Sequence, residues 1–413
     1  MLKWLPAALD APDMNALEIF VPTRTAARER LARFLPDAGR NYAARRNYDL
    51  GPGAHAGVST LSPYLRCRLI TEAEVLEAVL ARHSLTAAEK FVQEVFWRTY
   101  WKGWLELRPG VWQQYQQALH RDIDDLQTQA GLRDRWEAAC TGKTGIDCFD
   151  HWAQELAQTG YLHNHARMWF ASIWVFTLQL PWTLGADFFL RHLLDGDPAS
   201  NTLSWRWVTG QQTLGKTYLA RASNIEKYTE GRFRPQGLAD AADAMSPPPL
   251  LPIRALPAVQ SPDPKLKTGL LLQDDDLSPG FLLDQITPSC TATLSLPNGI
   301  SPLLPAPHVA AFRDAAAEDA CARWSGRLGS PAETVRSVAD ILAWAQRQNL
   351  RQIVTAYAPV GPVAETLQQL QEHPDAPPLI PLRRAYDEAA WPLATKGFFP
   401  FKKHIPDLIS QLI

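Results

Sequence analysis

Residues 159–207 read TGYLHNHARMWFASIWVFTLQLPWTLGADFFLRHLLDGDPASNTLSWRW. Apolar residues recur at three- and four-residue spacing over 162–180 and 184–194, which predicts two helices. The Asp-Gly-Asp-Pro sequence at 195–198 breaks the pattern after them. Asn164, Arg167, Asp195, Asp197 and Asn201 stand inside this apolar, tryptophan-rich run. Buried polar groups are costly unless partnered, so their concentration here points to a shared polar ligand or a network.

The same periodicity extends outward over 72–82, 90–107 and 150–158, so residues 13–235 read mostly as helices. Residues 246–264, SPPPLLPIRALPAVQSPDP, are too rich in proline for a helix or central strand and read as an extended linker. Beyond them the pattern changes. Short apolar runs at 268–273, 291–296, 352–357 and 378–382 read as buried strands, alternating with amphipathic stretches at 307–325, 331–348 and 361–372. That alternation predicts a parallel sheet with helices on its faces. The expected architecture is therefore multi-domain, α and α/β. A helical domain spans 1–240, a linker 241–265, and a smaller Rossmann-like α/β domain 266–413.

Composition narrows the class. The 413 residues carry a formal net charge of −2, so no bulk positive field announces a nucleic-acid partner, although a local basic groove is compatible with it. Cys67, Cys140, Cys148, Cys290 and Cys321 are scattered with no CxxC pair, which argues against a zinc knuckle or an iron–sulfur cluster; no metal site is expected. Reduced thiols in a cytoplasmic protein are the expectation. The start, MLKWLPAALDAPDMN, lacks the apolar core of a signal peptide, and no apolar run is long enough to span a membrane.

Between 90 and 104, Glu94, Trp97, Arg98 and Trp101 fall on one face of a predicted helix. Tryptophan offers flat surfaces for stacking, and arginine is shaped for phosphate. An amphipathic helix with an internal Glu–Arg ion pair would show the same residues, and both readings stand at this point.

Taken in order, VSTLSPYL at 58–65, FVQEVFWR at 91–98, HNxxRM at 163–168, LLDGDxxxN at 193–201 and WxW at 205–207 resemble the FAD-binding core of the DNA photolyase/cryptochrome family. The resemblance covers about residues 40–235 and implies an all-helical, photolyase-type FAD-binding domain. It implies that Ser59 and Ser62 wrap the flavin phosphates with Tyr42 upstream, where short polar residues before a helix suit phosphate. It gives Arg98 the pyrophosphate, and Asn164 and Arg167 flavin contacts. Arg167 is expected to pair with Asp195, Asp197 to bind the isoalloxazine edge or ribitol, and Asn201 to face flavin N5. Plant cryptochromes carry aspartate and animal ones cysteine at that last position, whereas photolyases resemble this chain in having asparagine.

The implied activity is light-driven repair of cyclobutane pyrimidine dimers, a carbon–carbon lyase reaction on UV-damaged DNA. Its active cofactor is reduced FAD (FADH⁻); the alternative is a cryptochrome-type blue-light receptor without repair. The lesion must leave the base stack. In the family's arrangement Trp97 and Trp207 wall the lesion pocket, Glu94 is its polar partner and Met168 its floor. The (6-4) photolyases carry histidines at the places of Asn164 and Met168. His165 stands where many members have a DNA-contacting arginine, which implies weaker duplex binding or a preference for single strands. Trp205 and Trp182 match the first two tryptophans of the electron chain that reduces the flavin, and the distal position near Leu126 or Gln127 has none.

Arg45, Arg46, Arg66, Arg68, Lys102, Arg206 and Lys216 are candidates for phosphate contacts or ordinary surface charges. A monomer without membrane attachment is expected. Too few residues precede Tyr42 for the family's amino-terminal antenna domain. TGLLLQDDDLSP, YAPVGPVAETLQQL and WPLATKGFFPFKKHI in the second half resemble parts of it, which implies a permuted arrangement; its antenna chromophore is unknown.

Overall fold

Among the described residues, every regular element before residue 229 is helical. The computed structural model describes residues 16–413 apart from positions 54, 56, 250, 297, 298 and 300. The stretch 1–15, on which the signal-peptide expectation rests, lies outside the described residues. The helix Glu72–Leu80 starts at a capping box, in which the Thr71 hydroxyl accepts from Glu74 N–H while the Glu74 carboxylate accepts from Thr71 N–H. The central helix Leu85–Glu106 is capped by Ser84 and buries the apolar face that includes Phe91, Val95 and Phe96.

The stretch 162–180 departs from a single helix. Asn164–Ser172 is α-helical, and Ile173–Thr177 then widens into a π-turn, with Leu178 N–H donating to Ile173 O at 2.9 Å. Such turns are enriched at functional sites. This one carries Trp174, whose indole N–H donates to Pro181 O at 2.9 Å.

Residues 236–267 contain no regular element among those described, as their proline content predicts. A five-stranded parallel sheet follows: β1 (Thr268–Gln273), β2 (Cys290–Leu294), β3 (Glu333–Val335), β4 (Gln352–Ala356) and β5 (Leu379–Leu382). The strand order is β3-β2-β1-β4-β5, with Leu270 of β1 opposite both Thr291 and Val354. The stretch 331–348 is not one amphipathic helix. Glu333–Val335 pairs as the edge strand, and the Ser337 hydroxyl accepts from Asp340 N–H, which fixes the helix start at Val338.

The sheet has apolar clusters on both faces, but the second half does not keep its helices to itself. Val309, Phe312 and Ala316 of the helix Pro307–Trp324 belong to the core of the helical body. So do Tyr386, Phe398, Phe401, Ile405 and Leu408 from the last helices. Gly103 makes one of these contacts possible: a Cβ there would lie 2.8 Å from Trp391 Cα.

In open α/β sheets the crevice beyond the carboxyl ends of the strands, where strand order reverses, is the usual ligand site. Here the helical body fills it. Arg66 reaches Asp275 beyond β1 at 2.5 Å, and the Glu106 carboxylate accepts from Tyr357 Oη at 2.8 Å and from Val360 N–H beyond β4. A separate cavity of about 240 Å³ lies beside β2 and β3 under the helix Pro307–Trp324.

Burial raises the Glu106 pKa from 4.5 to about 7, against the opposing pull of its two hydrogen bonds. The folded state therefore holds this proton more tightly than the unfolded chain. Stability from this group is present below pH 4.5 and is lost as pH rises toward 7. Glu106→Gln should remove that component from the pH dependence of the urea midpoint, and an unchanged slope in the variant would refute the assignment.

Candidate functional site

The polar residues of 159–207 converge because two short turns are closely tied. Asp197 caps the helix Pro198–Val208: its Oδ1 accepts from Ser200 N–H at 2.8 Å, and Pro198 occupies the first turn, where no N–H is needed. One turn on, Asn201 is buried, and its Nδ2 donates to Ala186 O at 2.7 Å. Arg167 holds Asp195 in a two-pronged pair at 3.0 and 2.9 Å, while its Nε donates to Leu162 O. Asn164, at the amino end of the same helix, is exposed, and Met168 is half-buried.

The helix Leu85–Glu106 faces this segment with cations. Arg98 approaches Asp197 at 3.6 Å and Glu72 at 3.4 Å, and donates to Arg66 O at 3.4 Å. Lys102, one turn further, lies 3.5 Å from Asp197 and is buried. Burial alone would raise the Asp197 pKa, but Lys102, Arg98 and Arg66 together hold it below the usual carboxylate range. The Lys102 pKa is lowered, by burial first and by Arg98 second.

Several buried polar atoms on this seam have no hydrogen-bond partner within the protein: Arg98 Nε, Lys102 Nζ, Ser200 Oγ, Thr202 Oγ1 and Trp205 Nε1. Unpartnered buried donors are rare and costly. Such atoms on two facing helices, two of them on cations held only by long ion pairs, suit an anionic ligand rich in acceptors, so the residues present fit the diphosphate and heterocycle of FAD. Ser59 and Ser62 are half-buried, on the loop leading into the helix Ser62–Arg66, whose last residue receives the Arg98 hydrogen bond.

Tyr42 sits in the core instead, edge-on to Phe34 and Phe91 at 5.9 and 5.2 Å. Burial and the nearby Glu94 raise its hydroxyl pKa. Glu94 is half-buried and pairs with Arg46; burial raises its pKa against that pairing. Trp97 is half-buried, and Phe398 stacks on it at 3.7 Å and 12°. Trp207 stacks on Tyr218 at 5.6 Å. His165 lies flat on Trp169 at 4.0 Å and shares hydrogen bonds with Asn47 O and Tyr218 Oη.

Among the tryptophans, Trp205 is buried and meets Phe189 at 5.2 Å and Trp174 at 6.3 Å. Gly185 permits this, since a Cβ there would lie 2.4 Å from Trp205 Cη2 and 2.9 Å from Trp174 Cε2. Trp182 is half-buried and in ring contact with Tyr115 at 5.6 Å.

Sequence reasoning missed the charged floor of the site. Arg66, Arg68, Lys102 and Arg206 were candidates for phosphate contacts or surface charges, and all four are buried. Arg66 and Arg68 are neutralised by Asp274–Asp276, Glu72 and Asp387, most of them distant in sequence. Lys102 could have been found, because it follows Arg98 by four residues and so shares its helical face. Arg45 and Lys216 remain exposed. Among the described residues no helix is long and apolar enough to cross a membrane, and no cluster of candidate metal ligands occurs.

The family profile described as the FAD binding domain of DNA photolyase matches residues 91–237. The deoxyribodipyrimidine photo-lyase of Streptomyces griseus is 33% identical over 205 residues, covering 49% of this chain and 43% of the relative. That of Vibrio cholerae is 27% identical over 246 residues, covering 57% of this chain and 49% of the relative. The chain thus spans somewhat less than half the length of these curated relatives.

Among solved structures, a bacterial class III photolyase from Agrobacterium tumefaciens aligns with a TM-score of 0.43 at 27% identity, over 52% of this chain and 44% of that one. A photolyase from Sulfolobus tokodaii aligns at 0.40 and 25% identity, over 50% and 44%. Through residues 91–237 the chain is similar to the FAD binding domain of DNA photolyase.

Proposed function

We propose that the protein is a light-driven DNA lyase that splits cyclobutane pyrimidine dimers. One observation carries the reading: a single helix presents Arg98 and Lys102 to Asp197 while Glu94 and Trp97, one turn earlier, stay half-buried beside them. A flavin seat and a lesion wall would then share one rigid element, as close transfer of an electron requires. Relatives named deoxyribodipyrimidine photo-lyase support the same reading.

When bound and reduced, FAD supplies the photoexcited electron that opens the dimer's two carbon–carbon bonds and takes it back afterwards. The protein's own groups position and exclude. Arg98 and Lys102 would hold the diphosphate, and Arg167 fixes Asp195, with Asp197 turned toward the cations. Asn201 would present a neutral amide near the flavin, with its N–H already committed to Ala186. Glu94, whose pKa burial raises, would be the polar partner of the lesion's carbonyl or N–H edge, with Trp97, Trp207 and Met168 as apolar boundaries. A single-strand preference is part of the proposal. Burial lowers the His165 pKa, which disfavours a positive charge where an arginine would carry one. Equal affinities for single- and double-stranded lesion DNA in a salt titration would count against it.

The alternative, a blue-light receptor without repair, draws on the Phe398 stack, which already covers one face of Trp97. Repair of a thymine-dimer oligonucleotide by the reduced protein under blue light separates the two. Recovery of absorbance near the thymine band is expected, absent in the dark and lost in Glu94→Ala. No recovery from fully reduced, FAD-loaded protein would favour the receptor. Photoreduction should depend on Trp205, and a Trp205→Phe variant reduced at the wild-type rate would remove that residue from the electron route.

A further inference from the structure

The segment Lys396–His404, KGFFPFKKH, lies against the helix that carries Glu94 and Trp97, and none of the roles above uses its outer side. Its inner side is anchored. Phe401 is buried, Phe398 stacks on Trp97, and Lys396 O accepts from Tyr100 Oη at 2.9 Å. The outer side is unusual in chemistry. Phe399 is 77% exposed, and Lys396, Lys403 and His404 are exposed around it. Lys402 pairs with Glu89 at 2.8 Å, whereas Lys396 and Lys403 have no ion-pair partner among the described residues. No acidic residue occurs in the sequence between Glu388 and Asp407.

One exposed aromatic ring would be ordinary. Phe399 is the outer end of a run of rings, 6.3 Å from Phe398, which in turn lies 3.7 Å from half-buried Trp97. A run of aromatic rings leading outward from Trp97 to an exposed face, bordered by unpaired cations, is the chemistry that holds an unpaired nucleic-acid strand: bases stack on the exposed ring and phosphates meet the lysines. We propose that Lys396–Lys403 is a single-stranded DNA contact, with Phe399 stacking a base beside the lesion and Lys396 and Lys403 on flanking phosphates. Only the identity of that strand, the lesion-bearing one, rests on the repair reading.

The test uses the full-length, FAD-loaded protein and anisotropy titration of a labelled, undamaged single-stranded oligonucleotide of about 16 nucleotides. Phe399→Ala should weaken binding roughly 5- to 100-fold, the span that loss of one base–aromatic stack produces. Lys396→Gln/Lys403→Gln should lower the slope of log affinity against log salt by about 1.4, or about 0.7 per lost phosphate contact. All three side chains point to solvent, and flavin absorbance reports that the fold survives.

Unchanged affinity and slope would overturn the proposal. So would self-association of the wild type that Phe399→Ala abolishes while DNA binding stays intact, since the patch would then serve a second copy of the chain. Absence of light-driven repair with binding still sensitive to Phe399 would sink the repair reading and support this contact.

Discussion

Replacing Arg68 with methionine is expected to destabilise the protein by about 3–5 kcal/mol, the usual cost of removing one partner from a buried ion pair. The Arg68 guanidinium is buried and meets Asp387 at 2.7 and 2.8 Å, Glu72 at 3.1 Å and Asp276 at 3.2 Å. Asp276 keeps Arg384 and Glu72 keeps Arg98, but Asp387 has no second cation among its ion pairs. The variant therefore leaves a buried carboxylate uncompensated. Urea unfolding at constant m reads the effect directly. Adding Asp387→Asn should restore much of the loss, because the two sites share one interaction. A shift below about 1 kcal/mol would mean that the network is solvated and contributes little.

Arg98→Ala should weaken FAD binding about 10- to 100-fold, the range expected for a lost charge-assisted hydrogen bond of about 1.5–3 kcal/mol. Arg98 is the cation placed between Asp197, Glu72 and the helix Ser62–Arg66. Without it Lys102 alone faces Asp197, and no flat fork remains to meet a diphosphate. Arg98→Lys should recover charge without the fork and fall between the two. Fluorescence titration of free FAD gives the affinity, and the rise in melting temperature with added FAD gives an independent reading. Wild-type affinity in Arg98→Ala would place the diphosphate elsewhere along the seam.

The repeating patterns were the legible part of this chain. Strands β1, β4 and β5 fall within a residue or two of their apolar runs, because a parallel strand buried on both faces must be apolar throughout. β3 escaped notice because an edge strand of three residues, two of them Glu333 and Thr334, has no such requirement. The Arg167–Asp195 pair is an expectation that comes with the family resemblance, and both partners lie in one short segment. The charged floor could not. Arg68 and Asp387 are separated by 319 positions, and nothing local to either one signals the other. The distal end of the electron route was not legible either: the position near Leu126 or Gln127 has no tryptophan, and nothing in the sequence signals that Trp174 stands 6.3 Å from Trp205.

The last helices of the chain complete the core of its first half, and this bears on synthesis. A nascent chain that has emerged as far as residue 380 lacks Tyr386, Phe398, Phe401 and Asp387, so Phe96, Trp97 and Arg68 have yet to meet their partners. The helices can form early from local contacts, but the apolar and ionic surfaces that await residues 386–408 stay uncovered until those residues have been made. Such a protein should depend on holding factors while it is on the ribosome. A nonsense mutation just before Tyr386 should act as a null, because the first half would lose these partners.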